Sequence, residues 1–230
     1  MEEKTTKELI REELKKLSDL SWKERLEYIW DYYKPLMAAV IAVIILISVG
    51  TTIYRNMQIE TLLNVIFVNS SNILADSESM NADFVECIGG LKKNQEIVLD
   101  TSFSIADDGS QYSMASQTKM TALASVGSID IMVMDEDVFE HYYEAGYFAD
   151  LSEILSVEQL EEWADLLIER KPSEESNDTE KATVTAAINL SEAPALKKYE
   201  LYNGEKLYGG VFAGKEKNEL YGEFFEFLLK

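Results

Sequence analysis

Cysteine and histidine are almost absent from this 230-residue chain, which contains one of each. Because Cys87 has no second cysteine to pair with, no disulfide can form within the chain. A single histidine, His141, is too little for a histidine-based metal site or for a Ser-His-Asp arrangement with spare ligands. We therefore expect His141 to be an ordinary helix residue. We expect Cys87, which falls in a predicted apolar helix, to be a small core residue.

The common catalytic and phosphate-binding motifs are missing as well. The sequence contains no G-x-S-x-G nucleophile elbow, no Walker loop and no G-x-G-x-x-G fingerprint. The acidic stretch 76–87 lacks the glycine and the final glutamate of an EF-hand. We therefore predict that the protein is not an enzyme and that it uses no cofactor and no metal.

Charge is absent from the nineteen residues between Leu36 and Tyr54. A helix of this length measures about 28 Å, close to the roughly 30 Å hydrocarbon core of a bilayer. Aromatic residues flank the run at Trp30 and Tyr54, as is common at membrane interfaces. The run is too long for a cleaved signal peptide, and no A-x-A-like site follows it. We predict one membrane span over 34–55 that contacts the lipid bilayer through Leu36 to Tyr54; the alternative is a buried helix.

Basic residues are concentrated before this span. Eight Lys and Arg residues precede it, whereas Arg55 is followed by none until Lys92. The positive-inside rule therefore places the N-terminus in the cytoplasm. We predict a signal-anchored, single-pass protein of the cell membrane with cytoplasmic amphipathic helices over 1–33, a transmembrane helix over 34–55 and an extracellular domain over 56–230. Within the first part, Ser21 and Glu24 fit a capping box and predict a helix start.

Positive charge is scarce in the outer part of the chain. Residues 55–230 contain 13 basic and 33 acidic residues, so they carry −20 of the chain's net charge of −21. A domain of this charge is unsuited to nucleic acid and to anionic lipid headgroups. Two explanations for the charge remain open: solubility near a negatively charged surface, and weak binding of Ca²⁺ or cationic ligands.

Short apolar runs alternate with helical patterns along the outer domain. The patterns predict strands at 62–68, 96–103, 129–135, 183–190 and 207–214, and helices at 81–92, 110–125, 136–145, 156–169 and 217–229. This order predicts a three-layer α/β domain with a mainly parallel five-stranded sheet covered on both faces. In the third strand, Ile129, Ile131 and Val133 should face one helical layer, and Met132 and Met134 the other. The polar segment 170–181 is predicted to be a surface loop or a mobile insertion.

Two segments carry a resemblance to a known family. They are QTKMTALASVGSIDIMVMDEDVFEHYYEAGYFADLSEIL (117–155) and LYGGVFAGKEKNELYGEFFEFLL (207–229). Both resemble, in the same order, segments of bacterial extracellular solute-binding proteins. The segment SWKERLEYIWDYYKP (21–35), followed by a span, is similar to single-pass proteins of Gram-positive bacteria. The resemblance implies the fold of one lobe of a periplasmic-binding protein. The chain departs from the family in two ways: the family usually has two lobes and a lipoprotein signal with a lipidated cysteine, whereas this chain has about one lobe's worth of sequence and a helical anchor.

Polar side chains follow the first three predicted strands. In open α/β sheets, ligands bind beyond the carboxyl ends of the strands, where the strand order reverses. The candidate ligand-binding residues at these ends are Asn69, Ser70, Ser71, Thr101, Ser102, Asp135 and Glu136. Their hydroxyl and amide groups can hydrogen-bond a small polar ligand, and Asp135 can meet a cation. The alternative is that they only start loops and cap helices.

The sequence thus predicts a single-pass membrane protein with a non-catalytic binding or accessory role at the cell surface. Its partner would be a small polar solute or a protein of a membrane complex. The alternative is a structural or regulatory membrane protein that uses the single lobe as a protein–protein platform. A polar pocket at the strand ends would favour the first function. An exposed aromatic patch would favour the second, and Tyr142, Tyr143, Tyr147 and Phe148 are the candidates for it.

Overall fold

The computed structural model describes residues 21–56, 58–70, 76–106, 109–172, 183–204, 206–216 and 218–230. Three predictions fall wholly or largely outside these ranges: cytoplasmic structure over residues 1–20, a ligand contact by Ser71, and the surface loop at 170–181. The chain forms two compact units that divide between Gln58 and Ile59.

In the described part of the first unit, the chain forms one continuous helix, α1 (Trp22–Asn56). It begins directly after Ser21, where the capping-box pattern predicted a helix start, and Pro35 lies inside it without ending it. The 22 residues Lys34–Arg55 are long and apolar enough to cross a membrane. Their large side chains are exposed, for example Leu46 at 70%. By length and composition, α1 therefore contains one candidate membrane span.

The second unit is built around a six-stranded sheet. Its strands are β1 (Glu60–Val68), β2 (Gln95–Phe103), β3 (Ile131–Asp135), β4 (Leu167–Arg170), β5 (Val184–Asn189) and β6 (Leu207–Val211). Their order across the sheet is β2-β1-β3-β6-β5-β4. β1 pairs in parallel with β2 and β3, whereas the β3–β6, β6–β5 and β5–β4 pairs are antiparallel. The α/β prediction is confirmed, but the sheet has six strands, not five, and is mixed.

The additional strand, β4, lies where the sequence predicted the end of a helix over 156–169. The helix there, α6 (Val157–Glu162), is shorter, and a 3₁₀ turn at Ala164–Leu166 leads into the strand. Leu167 pairs with Ile188 of β5. Pairing along the edge of β5 therefore outweighs the helical spacing of the apolar residues in this segment.

Helices cover both faces of the sheet, as the sequence predicted. Besides α6 they are α2 (Ser77–Cys87), α3 (Gln111–Ser125), α4 (Glu136–Glu144), α5 (Leu151–Ile154), α7 (Pro194–Lys198) and α8 (Glu219–Leu229). On one face, Phe84 of α2 and Phe224 of α8 pack in a core with Ile131 and Val133 of β3. On the other face, the core contains side chains of α3 and α4 with Met132 and Met134 of β3.

Two side chains differ from their predicted environment. Ile129 packs with Met132 and not with Ile131, because β3 begins only at Ile131 and the alternation of a strand does not extend back to residue 129. Cys87 is exposed and not a core residue. It is the last residue of α2, which stops before Gly89, whose φ of 83° ends the helical conformation.

Polar residues directly precede six of the helices. In each case the side chain accepts a hydrogen bond from a backbone N–H of the first turn, which compensates one of the unpaired donors of the helix end. These residues are Asp76, Ser110, Asp135, Asp150, Ser156 and Asn218. The starts of α2, α3, α4, α5, α6 and α8 are thus fixed by local sequence.

Candidate functional site

The strand order reverses between β1 and β3. α2 connects β1 to β2 over one face of the sheet, and α3 connects β2 to β3 over the other face, passing β1. The carboxyl ends of β1 and β3 therefore form the switch point at which ligands bind in open α/β sheets. A cavity of about 600 Å³ lies there. Its polar lining consists of Asn69, Gln117, Asp135, Asp137, His141 and Tyr142.

Asn69 holds three chain segments together at this cavity. It directly follows β1 with a φ of 58°, a left-handed conformation that asparagine adopts more readily than most residues. Its Nδ2 donates to the carbonyl oxygen of Ile105 at 2.9 Å and to Oδ2 of Asp135 at 2.6 Å. Its Oδ1 accepts from the backbone N–H of Ile105 at 2.7 Å. Asn69 therefore fixes the relative positions of the ends of β1 and β3 and the segment after β2.

Asp135 serves both the fold and the cavity lining. Its Oδ1 accepts from the backbone N–H of Val138 at 3.0 Å and so caps α4, while Oδ2 accepts from Asn69. Each carboxylate oxygen can accept a further hydrogen bond. Asp135 is only partly buried, so its remaining acceptor capacity is available at the cavity.

Helix α4 supplies one wall of the cavity. Asp137 and His141 are exposed and stand four residues apart, which places them on the same side of the helix. Tyr142 is 7% exposed, and burial raises the pKa of its hydroxyl, which is therefore neutral at pH 7. Together with the amide of Gln117 on α3, these groups offer both hydrogen-bond donors and acceptors. The cavity suits a small polar molecule.

The segment before β6 covers the strand ends on the opposite side of the sheet. The hydroxyl of Ser70 donates to the carbonyl oxygen of Leu201 at 2.9 Å. The hydroxyl of Tyr202 lies 2.7 Å from the carbonyl oxygen of Val68, at the end of β1, and 3.1 Å from that of Val133, within β3, so it can donate to a carbonyl group of either strand. Ser70 is thus bonded within the fold and does not line the cavity.

The remaining predicted site residues that the structure describes do not line the cavity either. The carboxylate of Glu136 accepts from Nζ of Lys206 at 3.1 Å, and this contact lowers the pKa of Glu136. Thr101 and Ser102 lie within the edge strand β2, and the hydroxyl of Ser102 accepts from Lys119 at 3.2 Å. Among the predicted residues that the structure describes, it therefore brings together Asn69 and Asp135 only.

Four polar cavity residues were not predicted from the sequence: Gln117, Asp137, His141 and Tyr142. The spacing of Asp137 and His141 on the helix directly after a strand end is the signal that could have found two of them. Gln117 carries no comparable signal, because its place depends on how α3 packs beside α4.

The predicted aromatic cluster belongs to the core. Tyr142, Tyr143 and Phe148 are 7%, 8% and 6% exposed. The rings of Tyr143 and Phe148 stack on Phe139, with centroid distances of 5.7 and 5.8 Å. Only Tyr147 is partly exposed. This cluster therefore does not form the exposed aromatic patch that a protein–protein platform would use.

Comparison with known proteins yields no relative. No family model matches the chain, and neither a curated protein nor a solved structure matches it significantly. The function is therefore inferred from the geometry of the cavity and from the sequence.

Proposed function

We propose that this chain is a single-pass membrane protein whose extracellular α/β domain binds a small polar solute without catalysing a reaction. The observation that carries this proposal is the cavity at the switch point, with its mixed lining of carboxylate, amide, imidazole and hydroxyl groups. Pockets of about 300–1,000 Å³ with a few convergent polar groups are typical of small-molecule sites.

The relationship to one lobe of the extracellular solute-binding proteins is part of this proposal. It is supported by the two segments of similar sequence and by the position of the cavity beyond the parallel strands. The proposed topology rests on the apolar stretch Lys34–Arg55 and on the excess of basic residues before it. With this topology, the cavity of the α/β domain would lie on the outer side of the membrane of a Gram-positive cell.

The proposal is tested on the full chain in nanodiscs. A ligand that binds only the folded state raises its apparent stability, so thermal unfolding is measured with amino acids, sugars, short peptides and Ca²⁺ at millimolar concentrations. At least one organic solute should raise the unfolding temperature. If none of these compounds does so, the proposal is wrong.

Two pairs of variants then locate the ligand. Gln117→Ala removes an exposed amide from the cavity, and Asp137→Asn replaces an exposed carboxylate, with its charge and one of its acceptor oxygens, by an amide. Gln111→Ala and Asp165→Asn are their matched controls, because both residues are exposed and lie outside it. Loss of one hydrogen bond should weaken binding about threefold to tenfold in the cavity variants. Equal affinity in all four variants would place the ligand elsewhere and contradict the proposal.

A further inference from the structure

A second cavity, of about 900 Å³, lies at the opposite end of the sheet, beside the amino ends of β1 and β3. It shares no lining residue with the cavity at the strand ends. Its apolar lining residues are Leu62 of β1, Val98 of β2 and Leu123 of α3. Its polar wall comes mainly from the segments directly before β3 and directly after β6 and from the start of α8.

The polar wall contains an ion pair that is largely buried. Nζ of Lys215 lies 2.7 Å from Oδ1 of Asp130, and these side chains are 19% and 12% exposed. The ammonium also donates to the carbonyl oxygen of Gly127 at 2.5 Å. Asp130 in turn accepts from the hydroxyl of Tyr221 at 3.1 Å and from the backbone N–H of Asn64 at 2.8 Å. Burial, together with the charge of Asp130, raises the pKa of Tyr221, which therefore remains a hydrogen-bond donor.

This ion pair indicates which chemical group can bind at the polar wall. A buried ion pair is weak evidence for stability, since removing two charges from water offsets most of their attraction. Lys215 is an aliphatic chain that ends in an ammonium group, and here a carboxylate and a carbonyl oxygen hold that group at the edge of a larger cavity. The cavity wall thus already binds one alkylammonium group, which belongs to the protein itself.

The lining is negatively charged overall, which favours the binding of a second alkylammonium group. Glu216 and Glu219 line the same cavity and are exposed, so the lining residues that the structure describes include three carboxylates and one ammonium, that of Lys215. The whole outer part of the chain carries −20, which further raises the local concentration of cations. A cavity lined by both apolar and acidic residues matches a ligand with an aliphatic stem and a cationic head.

We propose that this cavity binds an alkylammonium group, supplied by a small linear amine or by a lysine side chain. The aliphatic stem packs against Leu62, Val98 and Leu123. The ammonium lies among Glu216, Glu219 and the remaining acceptor capacity of Asp130. This proposal is independent of the solute proposed for the strand-end cavity.

The test uses the full chain in nanodiscs and putrescine as the probe, with binding measured by calorimetry. Glu216→Gln and Glu219→Gln should each weaken binding about twofold to fivefold, as expected for exposed ion pairs. Glu223→Gln is the matched control, because Glu223 is exposed on α8 but does not line the cavity. Leu123→Trp fills the cavity and should abolish binding, and the wild-type affinity should fall as salt is added.

Further measurements distinguish the source of the amine and the location of the site. A short lysine-containing peptide is compared with the same peptide acetylated at its lysine. If the unmodified peptide binds and the acetylated peptide does not, the site accepts a lysine side chain. If putrescine binds, the site accepts a free amine. Asp137→Asn, in the strand-end cavity, should leave both affinities unchanged. The proposal is overturned if neither probe binds at millimolar concentration, if Asp137→Asn abolishes binding, or if the Glu216, Glu219 and Leu123 variants bind like the wild type.

Discussion

Replacing Asn69 by glycine and by alanine should separate the contribution of its side chain from that of its backbone. The side chain makes two hydrogen bonds with backbone groups of Ile105 and one with the carboxylate of Asp135. At about 1 kcal/mol for each neutral bond and about 1.5–3 kcal/mol for the charged one, Asn69→Gly should lower the free energy of unfolding by roughly 3–5 kcal/mol. Asn69→Ala loses the same bonds and must also hold a φ of 58°, which costs about a further 1 kcal/mol.

The free energies of unfolding of both variants are measured by urea unfolding of residues 59–230, with tryptophan fluorescence as the signal. Trp163 is the only tryptophan in this fragment and is 4% exposed, so its emission should shift on unfolding. Ser70→Ala, which removes one hydrogen bond at the next position, is the control and should cost about 1 kcal/mol. If Asn69→Ala is no less stable than Ser70→Ala, Asn69 does not hold the cavity together and the description of the site is wrong.

Three further predictions follow from the fold. Residues 59–230, which form one compact unit, should be soluble alone and give a mixed α/β circular dichroism spectrum; a random-coil spectrum would contradict this. Burial acts to raise the pKa of Asp100, but hydrogen bonds from Lys119 and Ser102 lower it overall. A carboxyl group with a lowered pKa stabilises the fold above its unfolded pKa of about 4 and loses this effect as pH falls through the folded pKa. Asp100→Asn should therefore cost about 0.5–1 kcal/mol at pH 7 and nothing once Asp100 is protonated in acid, and an equal cost at both pH values would refute the link. Protease added to intact spheroplasts should remove the C-terminal domain and spare an N-terminal tag; protection of the domain would reverse the proposed topology.

The layers of the domain were predictable because they depend on local sequence. Alternation in the apolar runs located most strands, and polar residues such as Asp76 and Ser110 fixed helix starts through bonds to their own first turn. β4 was not predictable in the same way. Its segment has helical spacing, and only the exposed edge of β5, which is formed by residues further along the chain, makes the extended conformation favourable.

The candidate site was predictable only where the backbone decides which side chains meet. The strand-end rule identified Asn69 and Asp135 because it fixes positions along the chain. The rule does not tell which of two adjacent residues lines the cavity. Asp135 accepts a hydrogen bond from Asn69 in the cavity, whereas Glu136 accepts one from Lys206 outside it. The directions of these side chains are set by the first turn of α4. Assigning Gln117 to the cavity requires the packing of two helices, which no local pattern encodes.

The direction of β6 places the two cavities described above at opposite ends of the sheet. The sequence analysis predicted a mainly parallel sheet, and a β6 parallel to β3 would have delivered the segment after it to the same end as Asn69 and Asp135. β6 is instead antiparallel to β3. The segment after β6 therefore returns to the amino end of β3, where Lys215 meets Asp130, the residue immediately before that strand. Asp130 and Asp135 thus flank one fully buried run of β3, and each belongs to a different cavity. A substitution at one end can then be tested for its effect on the other, because the two cavities share β3 and no lining residue.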